Sequence, residues 1–425
     1  MKLNKKLFAL IIAGALVLAA LVTVICISVF KPSSKTLYVG LYELTEAEKT
    51  AIHDVLESLN QEREKPYEIV YTDFSDEKTL ASQVELKGSR AQDVVFTHSG
   101  VEADTLVQSI PAKKRKTTWY AKNATELYTS SFKTKALKNP DETIVQLPLL
   151  ADFCEIDIDR SILRVTGLST INSWDDIEAF ARKAKSFCDS PIIFAGRDDD
   201  TLINVLGTLT ESMNSVQAYR EVEDALLEVV KENPASLEQA FGQVLRANAT
   251  DPSSPLYVAV HSLVRWYNAD LVHPELLNLT KKDVSSLIDF GSAAVVLTTL
   301  SEHRLVPLKS IGRYSSIYYP SDMRPEMRAF LSDVLIAVPL SSNADKNSFV
   351  AQLSQSAWQE RLCGISGLAP ADASCKVPDV QSDNVRYWIA ATNTPLVPLS
   401  NSVCPNNTVK AALARAIRAY IRELI

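Results

Sequence analysis

Glycine is scarce, 12 residues in 425. Gly-rich loops that cradle phosphates are therefore poorly supplied by composition. Histidine is scarcer, five in all, and the chain contains no H-E-x-x-H, C-x-x-C or G-x-S-x-G. These absences remove the local signatures of a zinc peptidase, a clustered-cysteine zinc site and an α/β-hydrolase nucleophile. A cysteine–histidine nucleophilic pair has no local signature here either. There is no excess of positive charge: 44 Lys and Arg face 51 Asp and Glu, a net charge of −7. That balance argues against a nucleic-acid partner. The one dense basic run, Lys113, Lys114, Arg115 and Lys116, reads as a solvated loop. The three aspartates at 198–200 lack the D-x-[DN]-x-[DN]-G spacing of a calcium loop. A helix N-cap is the plain reading there. No internal repeat is present.

What the chain does have is one long apolar run. Residues 7–30 carry no charge and follow Lys2, Lys5 and Lys6. A span needs about 20 residues, and a secretory hydrophobic region is usually about 7–15. The run predicts an uncleaved N-terminal transmembrane helix, with residue 35 onward outside the cytoplasmic membrane. A cleaved signal peptide is the alternative. A lipid on Cys26 would need a small residue before it, where Ile25 stands. The remainder has ordinary globular composition, 46% hydrophobic and 22% charged, and a length suited to about two domains.

Residues 36–41 (TLYVGL), 67–71 (YEIVY) and 93–96 (DVVF) read as strands. Between them lie an amphipathic helix over 45–60, opened by the capping box Thr45–Glu48, and a helix over 78–87. This rhythm predicts an α/β fold built on a parallel sheet. Ligands of such sheets bind beyond the carboxyl ends of the strands. Those ends carry Tyr42, Glu43, Asp73, His98 and Ser99.

Residues 144–186 then form the organising stretch. An apolar run broken by Pro148 is extended, because proline lacks an N–H and disfavours helix in the residue before it. A short strand with Phe153, Ile156 and Ile158 follows, then a turn at Gly167 and a helix opened by Ser173 and Asp176. Trp174, Ile177, Phe180, Ala181 and Ala184 recur at helical spacing. Extended chain leaving one unit and a strand plus capped helix starting another read as a crossing between two lobes.

Pro148 to Asp152, the S-W-D-D helix start at 173–176, and Phe290-Gly291-Ser292-Ala293-Ala294 with a strand after it resemble the extracellular solute-binding proteins, family 1, of bacterial ABC importers. That group includes the maltose-binding proteins. The resemblance covers about residue 37 to the C-terminus. It implies a two-lobe periplasmic-binding-protein type II fold with three hinge crossings. It places residues 36–149 and 284–335 in the first lobe, and 150–283 and 336–425 in the second. It implies a small-molecule ligand, by family a sugar, held between the lobes, with importer transmembrane subunits as partners. No catalysis and no cofactor are required. The cell membrane, facing the periplasm or exterior, is the implied location.

On the same resemblance, Asp152, Arg197, Thr299, Ser301 and Trp388 join the first-lobe candidates as cleft residues. Aromatic faces for stacking on a sugar would come from Tyr42, Trp119, Tyr318 and Trp388. An exported chain permits disulfides, and the proposed pairs are Cys363–Cys375 and Cys154–Cys188, with Cys404 left over. Two other functions stay open: a membrane-anchored sensor or adhesion domain without transport, and a glycoside hydrolase using two carboxylates.

Overall fold

The computed structural model describes residues 36–111, 145–321, 331–377, 379–392 and 396–425. The apolar run at 7–30, Cys26, the basic run at 113–116 and Trp119 lie outside the described residues. Among the described residues, no helix is long and apolar enough to cross a membrane.

The first lobe is built on β1 (Thr36–Leu41), β2 (Glu68–Asp73), β3 (Val94–His98), β4 (Leu147–Ala151), β9 (Val334–Pro339) and β10 (Ala369–Pro370). Their spatial order is β10-β4-β9-β3-β1-β2. As the β-α-β pattern requires, β1 runs parallel to both β2 and β3. The helix Glu46–Gln61 is fixed at its start by the Thr45–Glu48 capping box and buries Ile52, Val55, Leu56 and Leu59. β9 lies antiparallel between β3 and β4. All its residues are buried, as expected for a strand covered on both faces.

The second lobe is built on β5 (Cys154–Asp159), β6 (Ile192–Ile193), β7 (Val295–Thr299) and β8 (Tyr314–Tyr318), ordered β6-β7-β5-β8. Helices Trp174–Ala184, Asp199–Met213, Leu237–Ala249, Pro255–Asn268 and Asn407–Leu424 enclose its core. The Ser173–Asp176 capping box forms, and Trp174, Ile177, Phe180, Ala181 and Ala184 are all buried. Gly291 ends the helix Lys281–Phe290 in the left-handed conformation, φ 72°, which glycine adopts without strain. Each lobe has its own apolar core.

The described elements pass from one lobe to the other after β4, between β8 and β9, and between the helix Val380–Ala391 and Leu396. The crossings are laced together. Asp152 N–H donates to the Asp333 carbonyl at 2.7 Å, Cys154 N–H to Leu331 at 3.2 Å, and Ser332 N–H to Leu396 at 2.9 Å. The Ser332 hydroxyl adds a bond to the Asp152 carbonyl at 2.9 Å.

Two expected boundaries are corrected. The strand after Gly291 does not return to the first lobe; β7 pairs with β5 and β6 inside the second. Residues from 336 on do not enter the second lobe at once: β9 is central in the first-lobe sheet, β10 pairs with β4, and Phe349, Leu362, Val385 and Ile389, the last two on helix Val380–Ala391, pack in the first-lobe core. β7 and β9 are both short strands that open on a run of adjacent apolar residues, VVL in β7 and VLIAVP in β9, and such a run carries no periodicity that names its sheet. The expected disulfides are also absent: Cys154, Cys188, Cys363, Cys375 and Cys404 are free and buried, packed as small apolar side chains. The helix expected over 78–87 is a single turn, Leu80–Gln83, because Glu85 and Gln92 pair in extended chain beyond it.

Candidate functional site

A cleft of about 450 Å³ opens between the lobes, lined by residues of both and of the crossings. Its walls are made by strand ends and helix starts. From the first lobe come Glu43 after β1, Thr45 and Glu48 of the first helical turn, and His98 at the end of β3. The crossings contribute Asp152, Phe153 and Asp333. The second lobe brings Asp200, Thr201 and Asn204 from the start of Asp199–Met213, and Thr299, Ser301 and Glu302 from the end of β7. Lys281, Arg304, Asn401, Asn407 and Lys410 also line it.

The polar groups are ordered by one another. Asp152 accepts from Phe153 N–H at 2.8 Å, Ser301 N–H at 3.0 Å and Ser301 Oγ at 2.5 Å. His98 lies between Glu48, at 2.9 Å, and Asp333, at 3.5 Å. Burial opposes the charged imidazole, but Asp333 and Glu48 outweigh it and push its pKa up to about 10. Burial raises the Asp333 carboxyl to about 6 despite His98. Lys281 joins Asp198 at 3.3 Å to Glu302 at 3.2 Å. Burial works against the Lys410 charge, yet Asp200, 3.0 Å away, and Glu43 hold it on.

Glu43 stands apart. Its φ of 52° places a non-glycine residue in the left-handed region, a strained state that persists where the surroundings impose it. Its Oε1 is buried without a hydrogen-bond partner. Lys410 approaches only to 3.7 Å. Burial raises its pKa, an effect that Lys410 partly offsets. A buried acceptor left without a donor carries the desolvation cost of that group.

Five of the ten expected site residues line the cleft: Glu43, His98, Asp152, Thr299 and Ser301. Five do not. The Tyr42 ring is buried, and its hydroxyl donates to the Lys78 carbonyl at 3.0 Å. Asp73 sits at an exposed strand end and pairs with Lys49 at 3.1 Å. Ser99 is buried, its N–H bonded to the Val334 carbonyl at 2.8 Å. Arg197 is exposed, its backbone held by Leu279 and Arg418. Trp388 packs on Phe153, ring centroids 5.6 Å apart, and supports the cleft wall from behind. In the strand ends, alternate residues point to opposite faces, so a strand terminus named whole includes buried neighbours. Of the expected aromatic rings, Tyr42, Tyr318 and Trp388 are not among the described lining residues, and Trp119 lies outside the described residues. Among the described lining residues Phe153 is the sole carbocyclic ring.

The residues not anticipated are mostly helix starts. Glu48, Asp200 and Glu302 fall in first turns, where carboxylates complement the dipole. A capping box such as Thr45–Glu48 marks the turn but not that it faces a ligand. Lys281 and Lys410 come from distant parts of the chain, and only the fold assembles them. No metal-ligating trio converges in the cleft among the described residues; Glu155, Asp157 and His303 converge behind it.

No protein-family model matches the sequence, and no curated protein sequence matches it. Solved structures do match. The bacterial solute receptor AcbH, described as exclusive for β-D-galactopyranose, aligns with a TM-score of 0.68 at 12% identity, over 92% of this chain and 93% of its own. A probable secreted solute-binding lipoprotein from Streptomyces coelicolor gives 0.63 at 16% identity, over 90% and 98%. A Bacillus licheniformis sugar transporter protein in complex with stachyose gives 0.61 at 11% identity, over 91% and 97%. The chain therefore has the α/β fold of periplasmic solute-binding proteins, with one sheet in each of two lobes.

Proposed function

We propose that this chain is the extracytoplasmic solute-binding component of an ABC importer, and that its solute is a carbohydrate. The observation that carries the reading is the cleft itself. Its volume falls within the usual range of about 300–1,000 Å³ for small-molecule sites. Side chains of both lobes line it, so a solute held there bridges them. Bridging is what couples binding to closure. Sugars present rows of hydroxyl donors and acceptors, and the wall offers carboxylates, amides and hydroxyls at matching density. The orphaned Glu43 oxygen supplies a fixed acceptor for one such hydroxyl.

Three crossings, tied by main-chain bonds, are the natural hinge. The lobes are joined across the cleft by contacts that opening would break. Asn407 N–H donates to the Asp76 carbonyl at 3.1 Å, and Asn407 Nδ2 to the Asp76 carboxylate at 2.8 Å. Arg304 reaches the Gly367 carbonyl at 3.1 Å and Asp379 at 3.2 Å. In this reading these contacts belong to the closed form of the receptor. Residues 1–35 tether the receptor to the membrane in this reading, and the importer subunits receive the solute when the lobes part. Structures of like fold are described as a solute receptor and as a sugar transporter in complex with stachyose, which supports binding over hydrolysis.

The test is a thermal-shift screen of the purified chain against monosaccharides, oligosaccharides, amino acids and polyamines. A sugar at a hundredfold excess over its Kd should stabilise the fold by about 2.7 kcal/mol. A response confined to amino acids or polyamines would move the ligand class. No response across the panel would remove the support for a transport receptor. Turnover of a glycoside panel would favour the hydrolase.

A further inference from the structure

We propose that Glu155, Asp157 and His303 form a binding site for one divalent transition-metal ion, of the zinc or manganese class, behind the ligand cleft. Glu155 and Asp157 are two apart on β5, so both point to one face of the second-lobe sheet. His303 comes from the turn of helix Leu300–His303 after β7. One ligand atom from each lies within 4.8 Å of the other two. His303 Nδ1 is 2.8 Å from Asp157 Oδ2 and 3.5 Å from Glu155 Oε1.

Charge is the first argument. Glu155 is 0% exposed and Asp157 1%. Among the described residues, no Lys or Arg nitrogen lies within 4.0 Å of either carboxylate. Two buried carboxylates thus face a single imidazole, and an uncompensated buried charge is costly. A divalent cation neutralises both and leaves the imidazole neutral, the form in which histidine ligates metals.

The outer oxygens are the second argument. Gln381 Nε2 donates to Glu155 Oε2 at 2.6 Å. Ser316 Oγ donates to Asp157 Oδ1, and it approaches Glu155 Oε1 at 3.3 Å. One oxygen of each carboxylate is therefore held by a neutral donor, while Glu155 Oε1 and Asp157 Oδ2 face His303. Metal-ligating carboxylates are oriented in this way. Ligands at about 2.0–2.1 Å in tetrahedral geometry sit roughly 3.4 Å apart; the His303–Glu155 edge, 3.5 Å, already fits, and the His303–Asp157 edge, 2.8 Å, would widen by about 0.6 Å. Space is the third. A cavity of about 10 Å³, lined by Asp157 and His303, adjoins the trio. That is close to the room one water needs, and a three-ligand ion takes a solvent molecule as its fourth ligand. One imidazole with two carboxylates suits zinc or manganese better than calcium, which takes 6–8 oxygens.

Glu155 holds Gln381, which belongs to the first-lobe helix Val380–Ala391. Lys281, Glu302 and Leu305 line both the small cavity and the cleft. An ion there would brace the second-lobe sheet against the other lobe and stiffen the wall behind the solute. This inference does not depend on which solute the cleft takes.

The tag-free full-length chain is stripped with chelator, and its melting is followed with Zn²⁺, Mn²⁺, Ca²⁺ and Mg²⁺ each alone. Zn²⁺ or Mn²⁺ should raise the melting temperature, saturating at one ion per chain by calorimetry. The gain should vanish in Asp157→Asn and His303→Gln and persist in Asp73→Asn. Absence of a gain from either ion, or an equal gain in His303→Gln, overturns the proposal. Should the buried variants fail to fold, anomalous diffraction from zinc-soaked wild-type crystals decides. A peak among the three side chains supports the site, and a peak elsewhere or none refutes it.

Discussion

Replacing Gly100 with alanine tests whether lobe closure is what binding requires. Gly100 precedes the first-lobe helix Val101–Ser109 with φ 149° and ψ −165°, a region that L side chains avoid. A Cβ there would lie 2.3 Å from the carbonyl oxygen of Asn401 and 2.9 Å from its carbon. Asn401 belongs to the second lobe, in helix Leu399–Val403, and donates to Asp333 at 2.9 Å. Ordinary contact begins near 3.4 Å, so that helix must withdraw by about 1 Å. Two effects separate. The backbone strain, about 1–3 kcal/mol, is present with the lobes open or closed and lowers the melting temperature. The contact with Asn401 exists only when they close, and overpacking of this kind costs about 1–3 kcal/mol. Solute affinity should therefore fall roughly 5- to 150-fold beyond the stability loss. Calorimetric titration with any solute that stabilises the wild type reads the affinity, and small-angle scattering reads the shape. Unchanged affinity with an unchanged scattering curve would refute the reasoning.

Glu43→Gly should raise the melting temperature by relieving about 1 kcal/mol of left-handed strain, while solute affinity drops at least tenfold. Paired melting and titration curves check both signs at once. Arg304→Ala removes the tie from the second lobe to the Gly367 carbonyl, Asp379 and Ser382. The pair is partly exposed, so the cost is about 1 kcal/mol or less, read as a few-fold weaker affinity with little change in melting. The pKa of His98 is raised to about 10, above its ordinary value of 6.5. Its contribution to stability is thus fully present below pH 6.5 and is lost as pH rises toward 10, with a slope of up to about 1.4 kcal/mol per pH unit. Melting followed from pH 6 to 10.5 should show this decline, and His98→Gln should flatten it.

The lobe architecture could be read from the chain because β-α-β rhythm, Pro148 and the Ser173 capping box are local signals with local physics. The helix faces, such as Ile52 to Leu59 and Trp174 to Ala184, emerge where periodicity puts them. The allotment of β7 and β9 to sheets could not be read, since short runs of adjacent apolar residues do not name their partners. Of the ten residues named in advance, five line the cleft; Glu43 and His98 came from strand ends, and Asp152, Thr299 and Ser301 from the family resemblance. Tyr42 and Ser99 failed because a strand terminus turns alternate residues inward. Lys281, Lys410 and Asp333 were invisible because nothing in their neighbourhoods marks them; they matter through what the fold sets opposite. The same holds for Glu155, Asp157 and His303, whose spacing along the chain matches no metal motif.

The most direct test of the account is the distance between lobes. Dyes placed on the exposed positions Glu57 of the first lobe and Glu221 of the second report it by energy transfer in single molecules. With a stabilising sugar, the population should shift to the short distance of the closed form, and Gly100→Ala should resist the shift. A sugar that binds and stabilises while the distance distribution stays the same would contradict the claim that the two lobes clamp their solute.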